Sequence, residues 1–345
     1  MKAEYKRYDL IFKQAAITSR NTLLKKETYF IKVWDDENPT LYGLGEASIF
    51  RGLSAEDCPD YEAKLQEVCK NINALNFSEL KSWSSILFGI ETAIADLKNG
   101  GRCMLYDTPF TRGEEGIRIN GLIWMGNKEE MAERISQKLS QGFNCLKLKI
   151  GGIDFASELE LITSIRNRFP QDILELRLDA NGAFSHDNVM QKLEQLSRFG
   201  IHSIEQPIKQ GNYKAMAYIC NISPIPIALD EELIGAVERE SKEEMLNVIK
   251  PQYIILKPSL AGGFISSDEW ISLAEERSIG WWATSALESN VGLNAIAQWV
   301  SAKPITMPQG LGTGQLYTNN IPSPLFIEGE KLYHAPNQKW DLSLI

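Results

Sequence analysis

Asn144-Cys145-Leu146-Lys147-Leu148-Lys149-Ile150 is an apolar run carrying two lysines two positions apart. In a strand, residues i and i+2 share a face, so both ammoniums stand on one side of it. Charged side chains are seldom buried without partners, and partners follow at regular intervals. Asp179 closes Leu176-Arg177-Leu178-Asp179, and Glu205 follows His202-Ser203-Ile204. Asp230 closes Ile227-Ala228-Leu229-Asp230, and Lys257 closes Tyr253-Ile254-Ile255-Leu256-Lys257. From Lys149 onward the spacings are 30, 26, 25 and 27 residues. Each is about one strand plus one returning helix, the repeat of a parallel β/α array. When such an array closes into a barrel, the strand ends meet at one mouth, where active sites lie. Five charged residues so placed make a catalytic centre.

The same rhythm extends outward. Short apolar runs, each followed by an amphipathic stretch, begin near residues 118, 145, 174, 202, 226, 253, 280 and 304. Within 155–169, for example, Leu159, Ile162 and Ile165 form one helical stripe. Eight strand candidates with seven helical segments between them predict an α/β fold, a (β/α)7β TIM-like barrel, over residues 111–321. Residues 1–110 have a different texture. Tyr8, Leu10 and Phe12 alternate with polar neighbours, 27–34 and 41–46 read as further strands, and Leu87, Ile90, Ile94 and Leu97 recur at helical spacing before Gly100-Gly101. This predicts an N-terminal α+β capping domain, completed by the C-terminal segment 322–345, in which 325–333 returns as a strand.

The bulk properties exclude several classes. With 345 residues, 43% of them apolar, the chain supports a large core. A net charge of −9 and the lack of a Lys/Arg cluster argue against nucleic acid and membrane as partners. Five cysteines without a Cys-x-x-Cys pair give no disulfide framework, which fits reduced thiols. The N-terminal residues lack the apolar core of a secretory signal, and no stretch is apolar enough to span a bilayer. The expected location is cytoplasmic and the expected partner a small molecule; oligomeric state is not legible.

Asp179, Glu205 and Asp230 offer hard oxygen ligands from successive strands, a set suited to Mg²⁺ or a similar cation. The alternative is that each caps the helix after it, since Asp is a favoured N-cap. Burial beside a second ammonium and a divalent cation favours the neutral form of a lysine, as a general base requires. In that arrangement Lys149 is the base, Lys147 its neighbour, and Lys257 a cation or second base across the barrel. A base beside a divalent cation fits removal of a proton α to a carboxylate, where the enolate charge must be stabilised as it develops. The three histidines stand in no nucleophile motif, and no P-loop, Gly-x-Ser-x-Gly or His-Glu-x-x-His pattern occurs.

The ordered set Lys-Leu-Lys (147–149), Asp-Ala-Asn (179–181), Glu-Gln-Pro (205–207), Asp-Glu (230–231) and Leu-Lys-Pro (256–258) resembles the enolase superfamily, in its muconate-lactonizing-enzyme-like subgroup. The resemblance covers nearly the whole chain. It implies that Asp179, Glu205 and Asp230 bind Mg²⁺, with Mn²⁺ as a substitute. It further implies Lys149 and Lys257 as the acid/base pair, with Lys147 and Asn181 in support. A narrower resemblance, to the o-succinylbenzoate synthase family, rests on the runs 43–48, 256–263, 285–299 and 310–314. It implies Mg²⁺-dependent dehydration of a cyclohexadiene dicarboxylate, with Ser285 and Gly312 as substrate contacts. Capping loops of such enzymes close over the site, which makes Arg20 and Arg51 candidate contacts too. Dipeptide epimerases of the superfamily use an Asp-x-Asp pair near the last strand, whereas 310–320 contains no acidic residue here. Two alternatives stay open on the residues alone. One is an N-succinylamino-acid racemase or other epimerase using both lysines; the other is a barrel without catalysis.

Overall fold

The computed structural model describes residues 1–17 and 22–345. Strands β1 (Lys2–Ile17), β2 (Thr22–Asp35) and β3 (Asn38–Ala47) form an antiparallel sheet in that order. The central strand is buried on both faces, and its period of two sorts the partners. Tyr29, Ile31 and Val33 pack with helices α1 (Tyr61–Lys70) and α2 (Ser84–Lys98). Phe30 points the other way, into a cluster with Leu44, Val291 and Ile321. Helix α2 lies so close to β3 that a Cβ at Gly45 would strike the carbonyl of Gly89. Glycine is needed there for the approach of two backbones.

Strands β4 (Ile117–Arg118) and β5 (Gly121–Ile123) follow. The β/α units then run α3 (Lys128–Ser140), β6 (Cys145–Lys149), α4 (Phe155–Arg168), β7 (Glu175–Asp179), α5 (Val189–Ser197), β8 (Ser203–Glu205) and α6 (Tyr213–Ile222). They continue through β9 (Ile227–Leu229), α7 (Arg239–Ile249), β10 (Tyr253–Leu256), α8 (Gly263–Glu275), β11 (Gly280–Ala283) and α9 (Asn290–Ser301). Strands β5 to β11 form one parallel sheet in chain order, curled with the helices outside it. Lys149 pairs in register with Asp179, and Asp179 with Glu205, so the three charges stand at one height.

The strand expected near residue 304 does not form. Residues 302–308 include Pro304 and Pro308, and proline cannot donate to a ladder. Gln309 and Gly310 instead make single parallel bridges to Ile119 and Thr284, filling the gap between the first and last strands. A Cβ at Gly310 would collide with the Thr284 hydroxyl, so this closure needs glycine. Below the mouth the interior is filled by Ala228, Ile255 and Trp282, with the buried Arg177 guanidinium 4.3 Å from the Trp282 ring centre. A tryptophan so enclosed typically contributes about 3–5 kcal/mol against truncation to alanine.

Strands β12 (Leu325–Glu328) and β13 (Lys331–His334) pair with each other, and β13 also pairs with β4. Beyond them Trp340, Leu342 and Ile345 pack beside Phe30 and Leu44 of the N-terminal sheet. Among the described residues, no helix is long and apolar enough to cross a membrane, and all five cysteines are free thiols.

Candidate active site

The strand register gathers the charged residues into one cluster. Lys149 Nζ donates to Asp179 Oδ2 and to Asn181 Oδ1, both at 2.8 Å. Lys147 Nζ lies 2.8 Å from Glu205 Oε2 and 3.2 Å from Asp179 Oδ2. Lys257 Nζ lies 2.6 Å from Asp230 Oδ2. Strand-end backbone conformations aim these groups. Asn181 adopts a positive φ of 45°, which asparagine tolerates, and its N–H donates to Asp179 Oδ1 at 3.1 Å. Gln206 also has a positive φ, 36°, and its amide oxygen accepts from the N–H groups of Asp230 and Glu232 at 3.3 Å. Each strand end is thus fastened to its neighbour.

Burial sharpens the electrostatics. Asp179, Glu205 and Asp230 are at most 2% exposed. Burial alone would raise the Asp179 carboxyl, but Lys149 and Lys147 outweigh it and hold the group well below the usual range. Glu205 goes the other way: burial, reinforced by Asp179 and Asp230, pushes it up to about 8 against the pull of Lys147. Burial lowers the Lys147 and Lys257 ammoniums, yet the carboxylates dominate and both are raised. The crowded carboxylates are the reason.

Among the described residues, no three His, Cys, Asp or Glu side chains are gathered as a ready-made metal cage. Each of the three carboxylates holds a lysine ammonium instead. Their chemistry still fits a hard divalent cation. All three supply oxygen, Glu205 Oε1 is buried without a hydrogen-bond partner, and a further positive charge would let Glu205 ionise.

An open cleft lies above the cluster. Ser285 and Gly312 line it, together with Lys147, Lys149, Asp179, Asn181 and Lys257. Arg51 does not. Its exposed guanidinium is held by Glu27 at 2.7 Å and Asp57 at 2.8 Å, beside the Tyr61 ring of α1. Its neighbours Phe50 and Leu53 reach the cleft instead. Arg20 lies outside the described residues.

The sequence reading missed several lining residues. Asn120 is 3% exposed with its Oδ1 unpaired, and Thr313 shares a 2.6 Å hydrogen bond with Ser285. The Trp124 ring centre lies 5.6 Å from Lys149 Nζ, a cation–π contact. For Asn120 and Trp124 the available signal was their place immediately before and after the first barrel strand. Together these groups can bind an anionic ligand over a charged floor and exchange a proton with it.

Comparisons with known proteins agree with this architecture. The family model described as enolase C-terminal domain-like matches residues 130–335. The chain is 46% identical to o-succinylbenzoate synthase of Desulfotalea psychrophila, over 95% of this chain and 98% of that protein. The crystal structure of MenC from Desulfotalea psychrophila superposes with a TM-score of 0.85 at 45% identity, covering 96% of this chain and 99% of that one. The L-Ala-D/L-Glu epimerase from Bacillus subtilis shares the fold, with a TM-score of 0.81 at 20% identity and 97% of each chain covered.

Proposed function

The chain belongs to the enolase superfamily, and from that premise we propose that it dehydrates 2-succinyl-6-hydroxy-2,4-cyclohexadiene-1-carboxylate to o-succinylbenzoate. The observation that carries this reading is the full-length 46% identity to o-succinylbenzoate synthase; the geometry supplies the residues. Lys149 takes the ring proton beside the carboxylate and returns it to the departing hydroxyl on the same face. Asn181 and Asp179 fix the reach of its ammonium from below. Lys257, held cationic by Asp230, faces the developing negative charge from the other side of the ring of strands, since β7, β8 and β9 separate β6 from β10. Asp179, Glu205 and Asp230 would hold Mg²⁺, or Mn²⁺ in its place, and Lys147 buttresses two of them. A bound divalent cation supplies Lewis-acid stabilisation of the substrate carboxylate as it gains charge. Ser285 and Gly312 contact the substrate away from the reacting carbon. The product is aromatic, so the protein need mainly orient the ring and shuttle one proton. The same reading divides the chain into a capping domain, 1–110 with 322–345, and a barrel, 111–321.

The test is ultraviolet detection of the dehydration, with and without Mg²⁺, beside deuterium exchange at the α-carbon of N-succinylamino acids. Dehydration that requires the cation is the expected result. The placement of Lys149 and Lys257 on opposite strands also favours a second reading, racemisation of an N-succinylamino acid by two bases. Exchange without any dehydration would make that reading the function.

A further inference from the structure

A second cluster of buried charges lies between the N-terminal sheet and the barrel, outside the proposed reaction. Lys26, on β2, is 5% exposed. Its ammonium donates to the Ser48 hydroxyl and, at 3.3 Å, to the Ser48 carbonyl. Two residues on, Phe50 lines the cleft, its ring centre 5.8 Å from the same ammonium. The turn carrying Phe50 is tight: the N–H groups of Leu53 and Ser54 donate to the Phe50 carbonyl at 3.0 and 2.8 Å.

On the barrel side stands Glu288, fully buried. One carboxylate oxygen accepts from the Ser259 hydroxyl, and the other accepts from the Ala286 N–H at 2.7 Å. Both partners adjoin the cleft. Ser259 lies between Lys257 and Leu260, and Ala286 between Ser285 and Leu287, all five of the residues Lys257, Leu260, Ser285, Ala286 and Leu287 being cleft walls. A second carboxylate, Glu46 of β3, is fully buried and accepts from Thr28, Ser289 and Gly292, joining sheet to barrel. Burial pushes the Lys26 ammonium down and the Glu288 carboxyl up, and each charge counters the effect on the other.

A buried ionic cluster is a weak source of net stability compared with apolar packing. Its consequence here is positional, because every group in it is bonded to a segment that walls the cleft or to the seam between the two parts. We infer that Lys26 is a positioning residue: it balances Glu288 and Glu46 across the seam and thereby fixes Phe50 against the 285–287 wall that encloses the substrate. This rests on the dehydratase reading for its kinetic arm only.

The experiment uses the full-length protein and Lys26→Met, which keeps the apolar stem and removes the charge, leaving two buried carboxylates unbalanced. In hydrogen–deuterium exchange, segments 48–54 and 285–290 should exchange about tenfold faster than in the wild type, with the outer barrel helices unchanged. KM for the cyclohexadiene should rise about tenfold while kcat stays within threefold, since the reacting groups are not touched. Lys26→Met/Glu288→Gln removes one carboxylate charge while the glutamine oxygen still accepts from the Ala286 N–H and its amide NH2 donates to the Ser259 hydroxyl oxygen. It should return KM and exchange to within threefold of the wild type. If Lys26→Met does not fold, Ser259→Ala, which loosens Glu288 without altering charge, should raise exchange in 285–290. Unchanged exchange in both segments, or a double variant no better than the product of its single losses, overturns the inference. A wild-type protein that dehydrates nothing overturns the functional reading, while the exchange arm still decides the role of Lys26.

Discussion

Asn181 Oδ1 stands 2.8 Å from Lys149 Nζ, while the Asn181 backbone N–H holds Asp179 Oδ1 at 3.1 Å. One residue therefore ties the proposed base to a proposed metal ligand, and it does so from a left-handed backbone conformation. Asn181→Leu deletes the side-chain acceptor and leaves the ammonium tethered by Asp179 alone. Misplacement of a reacting group by about 1 Å costs on the order of 10²-fold, so kcat should fall by about 10- to 100-fold with KM little altered. Lys149→Ala removes proton transfer altogether, a loss at or beyond the upper end of about 10²–10⁴. Steady-state kinetics on both variants checks the ordering; an Asn181→Leu enzyme as fast as the wild type would remove the tether from the mechanism.

The two lysines should respond differently to arginine. Lys257→Ala loses a fixed positive charge, about 10²–10³ in rate if it equals one oxyanion contact. Lys257→Arg keeps a cation of different shape and should recover part of the dehydration rate. Lys149→Arg cannot release its proton and should be inactive. Substantial dehydration by Lys149→Arg would mean that the base lies elsewhere.

Glu205 offers a readout that does not depend on turnover. Its Oε1 is buried and unpaired, and its carboxyl is pushed up to about 8. Glu205→Gln should therefore fold without loss of stability in chelator. Titrating Mg²⁺ should stabilise the wild type by about 2.7 kcal/mol at a hundredfold excess over Kd and the variant far less, as read by thermal unfolding. Equal Mg²⁺ stabilisation of both proteins would exclude Glu205 as a ligand.

Away from the cleft, Glu91 predicts a pH dependence of stability. Burial pushes its carboxyl from 4.5 to about 7, against the backbone N–H of Phe264, which donates at 2.6 Å. Between those values the folded chain keeps a proton that the unfolded chain has released. Stability from this group is complete below about pH 4.5, falls as the pH rises to about 7, and is level above. Glu91→Gln should gain on the wild type progressively from pH 5 to 8 in urea-unfolding midpoints. Parallel curves for the two proteins would show that Glu91 ionises without cost.

The six central charges were legible because strand pairing leaves them little freedom. Residues that end consecutive parallel strands must converge, and the register of Lys149, Asp179 and Glu205 follows directly. Residues on connecting loops have no such constraint. Arg51 looked available for an anionic ligand, yet Glu27 and Asp57 take up its guanidinium, and a pairing with Glu27 across 24 positions has no periodic signature. Leu260 and Thr313 enter the cleft through turns whose direction no hydrophobic pattern encodes. The eighth strand was misjudged for a related reason: its place is taken by two residues, too short a run to show alternation.

That substitution makes the ring of strands a hoop fastened at one clasp. Gln309 grips both sides of it: its N–H donates to Arg118, its carbonyl accepts from Asn120, and its side-chain oxygen accepts from Ala283 at 2.7 Å. Because the fastening is confined to Gln309 and Gly310, the stretch 302–306 ahead of it carries no part of the barrel ladder. In the half-exposed stretch 302–306 an insertion costs chiefly the small entropy of a longer loop, whereas 313–324 is held by its surroundings: the Tyr317 hydroxyl donates to the Leu287 carbonyl at 2.6 Å and Ile321 is fully buried. The chain can therefore vary in length just ahead of the clasp, as long as the clasp and the tied segment after it are spared.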